Sequence, residues 1–189
     1  VLAHIDNQFI QLPPNINTIN KLCNESIQNS TDCDKWLNNN QIKCIEPQNS
    51  EDVAKSRVGE MLYNKIFKDY TFKQWGKFPN ELDVSVLSRI PVRNNFDNRY
   101  FSDKYQVLPE NGYTKFISSM LIHKNIDIKL ETNFLDIKDK YNNNKIIFTG
   151  PIDAYYSNVG YPKLEYRSVT FKQEIYKNMN YYQPSAQVN

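Results

Sequence analysis

The sequence predicts a mixed α+β fold, and three observations carry this prediction. Residues 1–12 alternate in polarity around Asp6-Asn7, a two-residue turn signal that is typical of a β-hairpin. After Ser50, apolar residues recur at helical spacing, whereas residues 164–176 alternate as a strand does. Because helices come first and then mix with strands, an α+β architecture with an antiparallel sheet is favoured over an alternating α/β one.

The first half of the chain is predicted to be mainly helical. Residues 15–28 place apolar side chains near one helix face, and residues 29–50 are polar and irregular, with a short helix around Trp36-Leu37. Ser50 is expected to cap the clearest helix, which runs to about Lys68. The residues on its apolar face are Ala54, Val58, Met61, Leu62 and Ile66.

The second half is predicted to be mainly strands. Residues 105–108, 126–130, 145–149 and 164–176 are apolar or alternate in polarity, which is typical of strands. Between the first two of these, Gly112 is expected to open a helix. The side chains expected to point inward from this helix are Phe116, Ile117, Met120 and Leu121.

Composition excludes several classes of function. The net charge of +2 on 189 residues, without a concentrated basic face, argues against a nucleic-acid-binding protein. No apolar run approaches the roughly 18 residues of a membrane span. Cys23, Cys33 and Cys44 are spaced too widely for a C-x-x-C metal site, so we expect no metal. Reduced thiols and the lack of a visible secretory signal indicate a cytoplasmic protein.

Residues 70–76, with the sequence YTFKQWG, are the strongest candidate for a binding site. They place the aromatic rings of Tyr70 and Trp75 near a break at Gly76 and Pro79. Such rings can stack on a flat ligand such as a nucleobase, at about 1–3 kcal/mol per base. The alternative is that both rings close a hydrophobic core.

Several segments then follow each other in the order and at the distances of one family. The matching segments are LPPNINTIN (12–20), YTFKQWG (70–76), RIPVR (89–93), DNRYF (97–101), YQVLP (105–109), GYT (112–114), TGPID (149–153) and LEYRS (164–168). Over residues 5–172 the chain resembles the middle, substrate-binding portion of UDP-galactopyranose mutases. These are flavoenzymes that interconvert the pyranose and furanose forms of UDP-galactose. The resemblance implies UDP-galactose or a related UDP-sugar as the ligand.

The resemblance also implies roles for single residues. Tyr70 would stack on the uracil with Phe67 beside it, and Trp75 would line the cleft near the sugar and ribose. Arg89 would close onto the diphosphate from a mobile loop, residues 79–92, because a guanidinium offers forked, charge-assisted donors. Tyr100 would donate a hydrogen bond to the same diphosphate.

Asn15 and Arg167 would add polar contacts at the edge of the cleft. Alternatives remain open for three of these residues. Arg89 is also consistent with a solvated surface residue, Tyr100 with a hydroxyl bonded to a backbone carbonyl, and Arg167 with a salt bridge to Glu165. The sequence departs from the family at Asn17, where the family has a histidine, so a role that needs positive charge is in doubt there.

The resemblance implies FAD as the cofactor, with the flavin N5 rather than a side chain of this chain as the catalytic group. Yet none of the five glycines is separated from another by a single residue, so the Gly-x-Gly-x-x-Gly turn that binds the pyrophosphate is absent from these residues. The family's C-terminal flavin-binding segment is missing as well. We therefore expect a fragment or truncated relative that neither binds FAD nor isomerises the sugar by itself.

The resemblance suggests five parts. These are a hairpin (1–14), a helical substrate-binding subdomain (15–76), a mobile loop with sheet strands (77–112), an inserted, incomplete piece of a Rossmann-like FAD domain (113–155), and sheet strands with a tail (156–189). The alternative to a mutase segment is a nucleotide-sugar binding or interaction module without catalysis. Incomplete sheet and flavin-domain elements can leave apolar edges bare, so homo-oligomerisation is a further hypothesis.

Overall fold

The computed structural model describes residues 1–189, which form two compact units: Val1–Lys104 with Val169–Asn189, and Tyr105–Ser168. The first unit contains strands β1 (Leu2–Ile5) and β2 (Gln8–Gln11) and helices α1 (Ile16–Cys23), α2 (Ser30–Asn40), α3 (Ser50–Leu62), α4 (Asp69–Trp75) and α5 (Ser85–Ser88). The second unit contains α6 (Gly112–Met120), α7 (Phe134–Ile137) and α8 (Ile152–Tyr155). The mixed α+β class is confirmed.

The predicted hairpin is confirmed. Strands β1 and β2 pair antiparallel, with Leu2 opposite Gln11 and Ile5 opposite Gln8. Asp6 and Asn7 both have positive φ, 49° and 59°, which is the conformation that a tight two-residue hairpin turn requires. On the other edge of β1, residues 187–189 run alongside, and hydrogen bonds link Leu2 N to Gln187 O (3.1 Å) and His4 N to Asn189 O (2.9 Å).

Helices α1 and α2 differ in length from the prediction. Helix α1 ends at Cys23 rather than near residue 28, because Asn24 adopts the left-handed conformation (φ 55°) that ends a helix. Helix α2 fills 30–40, most of a segment predicted to be irregular. The Asn29 side chain caps it by accepting a hydrogen bond from Asp32 N (3.0 Å).

The long helix predicted after Ser50 exists, but it is not a single regular α-helix. Asn49 rather than Ser50 is its N-cap, and inside α3 Gly59 breaks the helical backbone with φ 79° and ψ 173°. Residues Tyr63–Lys68 then form a π-helix, which leads directly into α4. The segment that was expected to follow the helix, residues 70–75, therefore lies on its last part, and the predicted break at Gly76 is found as the left-handed C-cap of α4.

The hydrophobic core lies in the first unit, between α1, α2, α3 and the π-helix. Its buried members are Ile16, Ile19, Ile27, Cys33, Ala54, Val58, Leu62, Tyr63, Ile66, Phe67 and Leu87. Tyr63 is 2% exposed, and its hydroxyl donates to a Glu51 carboxylate oxygen at 3.0 Å. The core thus fixes the π-helix from one side.

The second unit corrects the strand predictions. No strand is found at 105–108, 126–130, 145–149 or 164–176, and none of residues 105–168 is buried. Helix α6 begins at Gly112 as predicted, but its expected inward side chains, Phe116, Ile117, Met120 and Leu121, are 50, 48, 63 and 36% exposed. A strand needs another strand to pair with, and the sheet of this structure consists of β1 and β2. An incomplete Rossmann-like piece is therefore not confirmed.

None of the helices combines the length and the apolar character that a membrane crossing needs.

Candidate functional site

A cavity of about 240 Å³ lies in the first unit, beside the π-helix and α4. Most of its wall is carbon, with a few polar groups, which is the usual composition of a small-molecule site. The residues that line it are Val1, Leu12, Pro13, Pro14, Ile66, Phe67, Tyr70, Ile90, Tyr100, Phe101, Gln187 and Asn189. They come from six segments of the chain that the hairpin and the helical core bring together.

Three of the predicted site residues meet in this cavity. Phe67 projects from the π-helix, Tyr70 from the start of α4, and Tyr100 from the extended segment after residue 95. Phe67 is buried, whereas Tyr70 keeps 36% of its surface exposed. The cavity therefore offers one aromatic wall that is fixed by the core and two phenols that solvent or a ligand can reach.

Arg89 lies next to this aromatic group. Burial raises the pKa of the Tyr70 phenol and Tyr100 raises it further, whereas the positive charge of Arg89 lowers it. The Arg89 side chain is exposed, and its Nε donates to Val86 O at 3.3 Å. No protein partner is found for its two Nη groups, which are therefore available to an anionic ligand.

The backbone around Arg89 is held more firmly than a wholly mobile loop. Ser50 bonds to two carbonyls at the start of the segment, through N to Leu82 O (3.0 Å) and through Oγ to Asp83 O (2.6 Å). Leu87 is 4% exposed in the core, and Arg93 N donates to Pro14 O at 2.9 Å. Between Leu87 and Arg93, only Ser88 and Arg89 are exposed.

Asn15 is placed beside the cavity rather than in it. Its side chain is fully buried and caps α1, accepting from Thr18 N at 3.2 Å. Its amide nitrogen donates to Asn98 Oδ1 (2.8 Å) and Asp97 O (3.2 Å). Asn15 thus joins the start of α1 to the segment that carries Tyr100.

Trp75 and Arg167 are not among the residues that line the cavity. Trp75 is the last residue of α4 and is 43% exposed. It lies five positions after Tyr70 in the helix, so the two side chains point about 140° apart. Arg167 belongs to the second unit and is exposed. Ligand contact by either residue stays a prediction.

Sequence reasoning missed the remaining walls of the cavity. Ile66 was predicted only as a core residue, and Leu12 and Ile90 only as parts of apolar or proline-containing segments. Gln187 and Asn189 add two side-chain amides at the cavity, where the chain runs beside β1. Nothing in the local sequence of residues 187–189 indicates this position, because it depends on pairing with a strand about 185 residues away.

Asn17, the position where the family has a histidine, faces a different cavity. This second cavity is about 480 Å³ and is lined by Leu2, Phe9, Gln11, Asn17, Asn20, Lys21, Asn98 and Pro184. The Asn17 amide nitrogen donates to Asn98 Oδ1 at 3.3 Å. An amide can donate this hydrogen bond without carrying a charge.

The residues present do not fit the pyrophosphate of a flavin cofactor. Such a site needs closely spaced glycines that let the backbone approach the phosphates. A Cβ added to Gly112 or Gly160 would meet nothing within 4 Å, so neither glycine is enclosed. Gly59 is in close contact with backbone, but it faces the Asn40 carbonyl oxygen, an acceptor that repels phosphate.

Comparison with known proteins agrees with the resemblance seen in the sequence. The family model of UDP-galactopyranose mutase matches residues 65–189. A probable UDP-galactopyranose mutase of Klebsiella pneumoniae is 37% identical over 181 residues, 94% of this chain and 46% of that protein. A dTDP-fucopyranose mutase of Escherichia coli is 34% identical over 177 residues, 90% of this chain and 46% of that protein.

A UDP-galactopyranose mutase of Mycoplasma genitalium is 29% identical over 153 residues, 76% of this chain and 38% of that protein. The chain thus spans less than half the length of the curated relatives it matches.

Proposed function

We propose that this chain, which belongs to the UDP-galactopyranose mutase family, forms the part of such an enzyme that binds the nucleotide of a UDP-sugar. The observation that carries the proposal is the meeting of Phe67, Tyr70 and Tyr100 in one cavity, with Arg89 beside them. Aromatic rings take a nucleobase, and a free guanidinium takes a diphosphate.

In this proposal each side chain has a separate task. Tyr70 stacks on the uracil, against the fixed ring of Phe67. The Nη groups of Arg89 and the hydroxyl of Tyr100 bind the diphosphate. Trp75 contributes on the sugar side, and Asn15 acts mainly by holding the segment of Tyr100 in place.

The isomerisation itself is assigned to the complete enzyme. The resemblance attributes the chemistry to reduced flavin, and these residues do not form its pyrophosphate site, so the chain alone binds the UDP-sugar without converting it. We retain the five-part organisation, with 113–155 as an inserted piece of the flavin domain and Arg167 as a contact at the cleft edge. All three cysteines are free, which supports a reducing, cytoplasmic setting.

The exposed apolar side chains of the second unit support self-association as a further part of the proposal. Leu108, Ile122, Leu130 and Ile147 are each about 80% exposed. Apolar surface of this kind associates with other apolar surface. Light scattering should show a mass that rises with protein concentration, and a monomer at all concentrations would contradict it.

Calorimetric titration of the 189-residue chain tests the nucleotide site. UDP should bind, and Tyr70→Ala should weaken binding by about 5- to 150-fold, the equivalent of about 1–3 kcal/mol of stacking. Tyr70→Phe should bind almost as well as the original chain. Tyr181→Ala is the matched control, because Tyr181 is in the same unit but 74% exposed and outside the cavity.

Two outcomes would refute the nucleotide site: no binding of UDP at millimolar concentration, or equal binding by Tyr70→Ala and the original chain. A short oligonucleotide titrated in parallel tests nucleic-acid binding, which we expect to be absent. Adding FAD and a reductant to this chain should yield no UDP-galactofuranose, and turnover would contradict the assignment of the isomerisation to the complete enzyme.

A further inference from the structure

Arg57 is an arginine of α3 whose side chain is directed at backbone carbonyls rather than at an acidic residue. Its Nη1 donates to Leu87 O and to Ser88 O, both at 3.2 Å. No carboxylate pairs with it. Burial lowers the pKa of the Arg57 guanidinium, but the group stays protonated at neutral pH because its ordinary value is so high.

These two carbonyls occupy a particular place. Leu87 and Ser88 are the last residues of α5, and the next residue is Arg89. The last carbonyls of a helix lack intrahelical partners and carry partial negative charge, so a cation that donates to them stabilises this end. Leu87 O also accepts from Ile90 N at 3.2 Å, so this carbonyl is bonded both to Arg57 and to the residue that follows Arg89.

Among the contacts that hold α5 to α3, the bond from Arg57 to Ser88 O lies nearest to Arg89 in sequence. The hydrogen bonds from Ser50 hold residues 82 and 83, and the buried Leu87 side chain holds the middle of α5. Beyond Ser88 no further backbone bond to α3 follows, and Arg89 is exposed. The backbone that carries Arg89 is therefore held on its N-terminal side by the bonds from Arg57 and on its C-terminal side by the bond from Arg93 N to Pro14 O.

We propose that Arg57 is a positioning residue for Arg89, and that its hydrogen bonds to the end of α5 hold the Arg89 guanidinium beside Tyr70. This inference rests on the proposed function, because it assigns Arg89 to the diphosphate. Arg57 itself touches no ligand. Its contribution should appear in the binding of the diphosphate and not in the binding of the base.

The experiment compares UDP with uridine, which has the base and ribose but no phosphate, by calorimetric titration of the whole chain. Arg57→Met removes the donors and keeps most of the aliphatic bulk. We expect it to weaken UDP binding about tenfold while uridine binding changes less than twofold, because Arg89 is no longer held in place and part of its charge-assisted bonding to the diphosphate is lost. Arg57→Lys keeps one donor nitrogen, so its affinity for UDP should lie between those of the original chain and Arg57→Met.

A double-mutant cycle separates positioning from a general loss of structure. In the Arg89→Ala background, Arg57→Met should change UDP binding less than twofold, because the group that it positions is absent. The matched control is Lys55→Met on the same helix. The Lys55 ammonium pairs with Glu51 (2.7 Å) and Glu60 (2.8 Å) and not with α5, so the ratio of UDP to uridine affinity should stay unchanged.

Three results would overturn the inference while leaving the nucleotide site intact. The first is a loss of UDP binding below twofold in Arg57→Met, the second is an equal loss for UDP and uridine, and the third is the same loss of UDP binding with and without Arg89. Should Arg57→Met fail to fold, as judged by its far-ultraviolet circular dichroism, Arg57→Lys replaces it in the cycle with the same criteria. Failure of the original chain to bind UDP would overturn the proposed function as well as this inference.

Discussion

Replacing Gly59 with alanine should destabilise the first unit more than any other single methyl addition to its glycines. Gly59 has φ 79° and ψ 173°, a region of backbone conformation that is almost restricted to glycine. An added Cβ would lie 2.3 Å from Asn40 O and 2.9 Å from Asn40 C. Those atoms are backbone at the end of α2 and cannot rotate away.

The two effects can be estimated separately. The conformation costs about 1–3 kcal/mol, and overpacking against a fixed neighbour adds about 1–3 kcal/mol. Their sum of about 2–6 kcal/mol is a large part of the 5–15 kcal/mol by which domains are usually stable. Gly59→Ala should therefore bring the unit close to unfolding at room temperature.

Urea unfolding followed by tryptophan fluorescence measures this loss. Both tryptophans, Trp36 and Trp75, lie in the first unit, so the signal reports on that unit alone. Gly76→Ala is the comparison, because Gly76 has an ordinary left-handed conformation (φ 67°, ψ 13°) that costs about 1–2 kcal/mol. A smaller loss of unfolding free energy for Gly59→Ala than for Gly76→Ala would contradict the close contact between α3 at Gly59 and the end of α2.

Two further predictions concern the buried Asn15 and the partly buried Cys23. Asn15→Ala should lower the free energy of unfolding by about 1–2 kcal/mol, since the cap of α1 is lost, and urea unfolding measures this loss. The same variant should weaken UDP binding less than Tyr70→Ala does, as measured by calorimetry. A larger effect on binding than that of Tyr70→Ala would assign Asn15 to direct ligand contact. Burial raises the pKa of the Cys23 thiol from 9.0 to about 11, so the folded unit holds this proton more tightly than the unfolded chain, and the resulting stability, complete below pH 9, should be lost as the pH rises to about 11. Unfolding midpoints measured at pH 8 and pH 11 should therefore differ less in Cys23→Ala than in Cys44→Ala, the control, because Cys44 is exposed. Equal differences in the two variants would contradict the assignment of this pH-dependent stability to Cys23.

The first unit could be predicted from the sequence because its signals are local. The Asp6-Asn7 turn and the apolar face that includes Val58 and Leu62 each require only neighbouring residues, and both are found. The π-helix could not be predicted, since a pattern of 3.6 residues per turn does not show where the turn widens. The cap of α3 was misplaced by one residue because Asn49 and Ser50 are both good N-caps.

The strands of the second half failed for a different reason. Alternation at 126–130 and 164–176 predicts which face of a strand would be apolar, but a strand forms only beside another strand. The candidate site shows the same limit. Tyr70 and Tyr100 were found through a motif, whereas the walls made by Ile90 and Asn189 result from contacts between distant segments, which no local pattern indicates.

The π-helix gives the segment beside the cavity a residue that it can lose. A π-turn accommodates one residue more than an α-turn does. Deleting a single residue between Tyr63 and Lys68 would close the wide turn to an α-turn, and the helix beyond it would keep nearly the same phase, because the lost residue is the one that the wide turn had absorbed. Tyr70 would then still face the cavity, so alignments of this family should treat a one-residue gap here as the loss of the π-turn and not as a change in ligand binding.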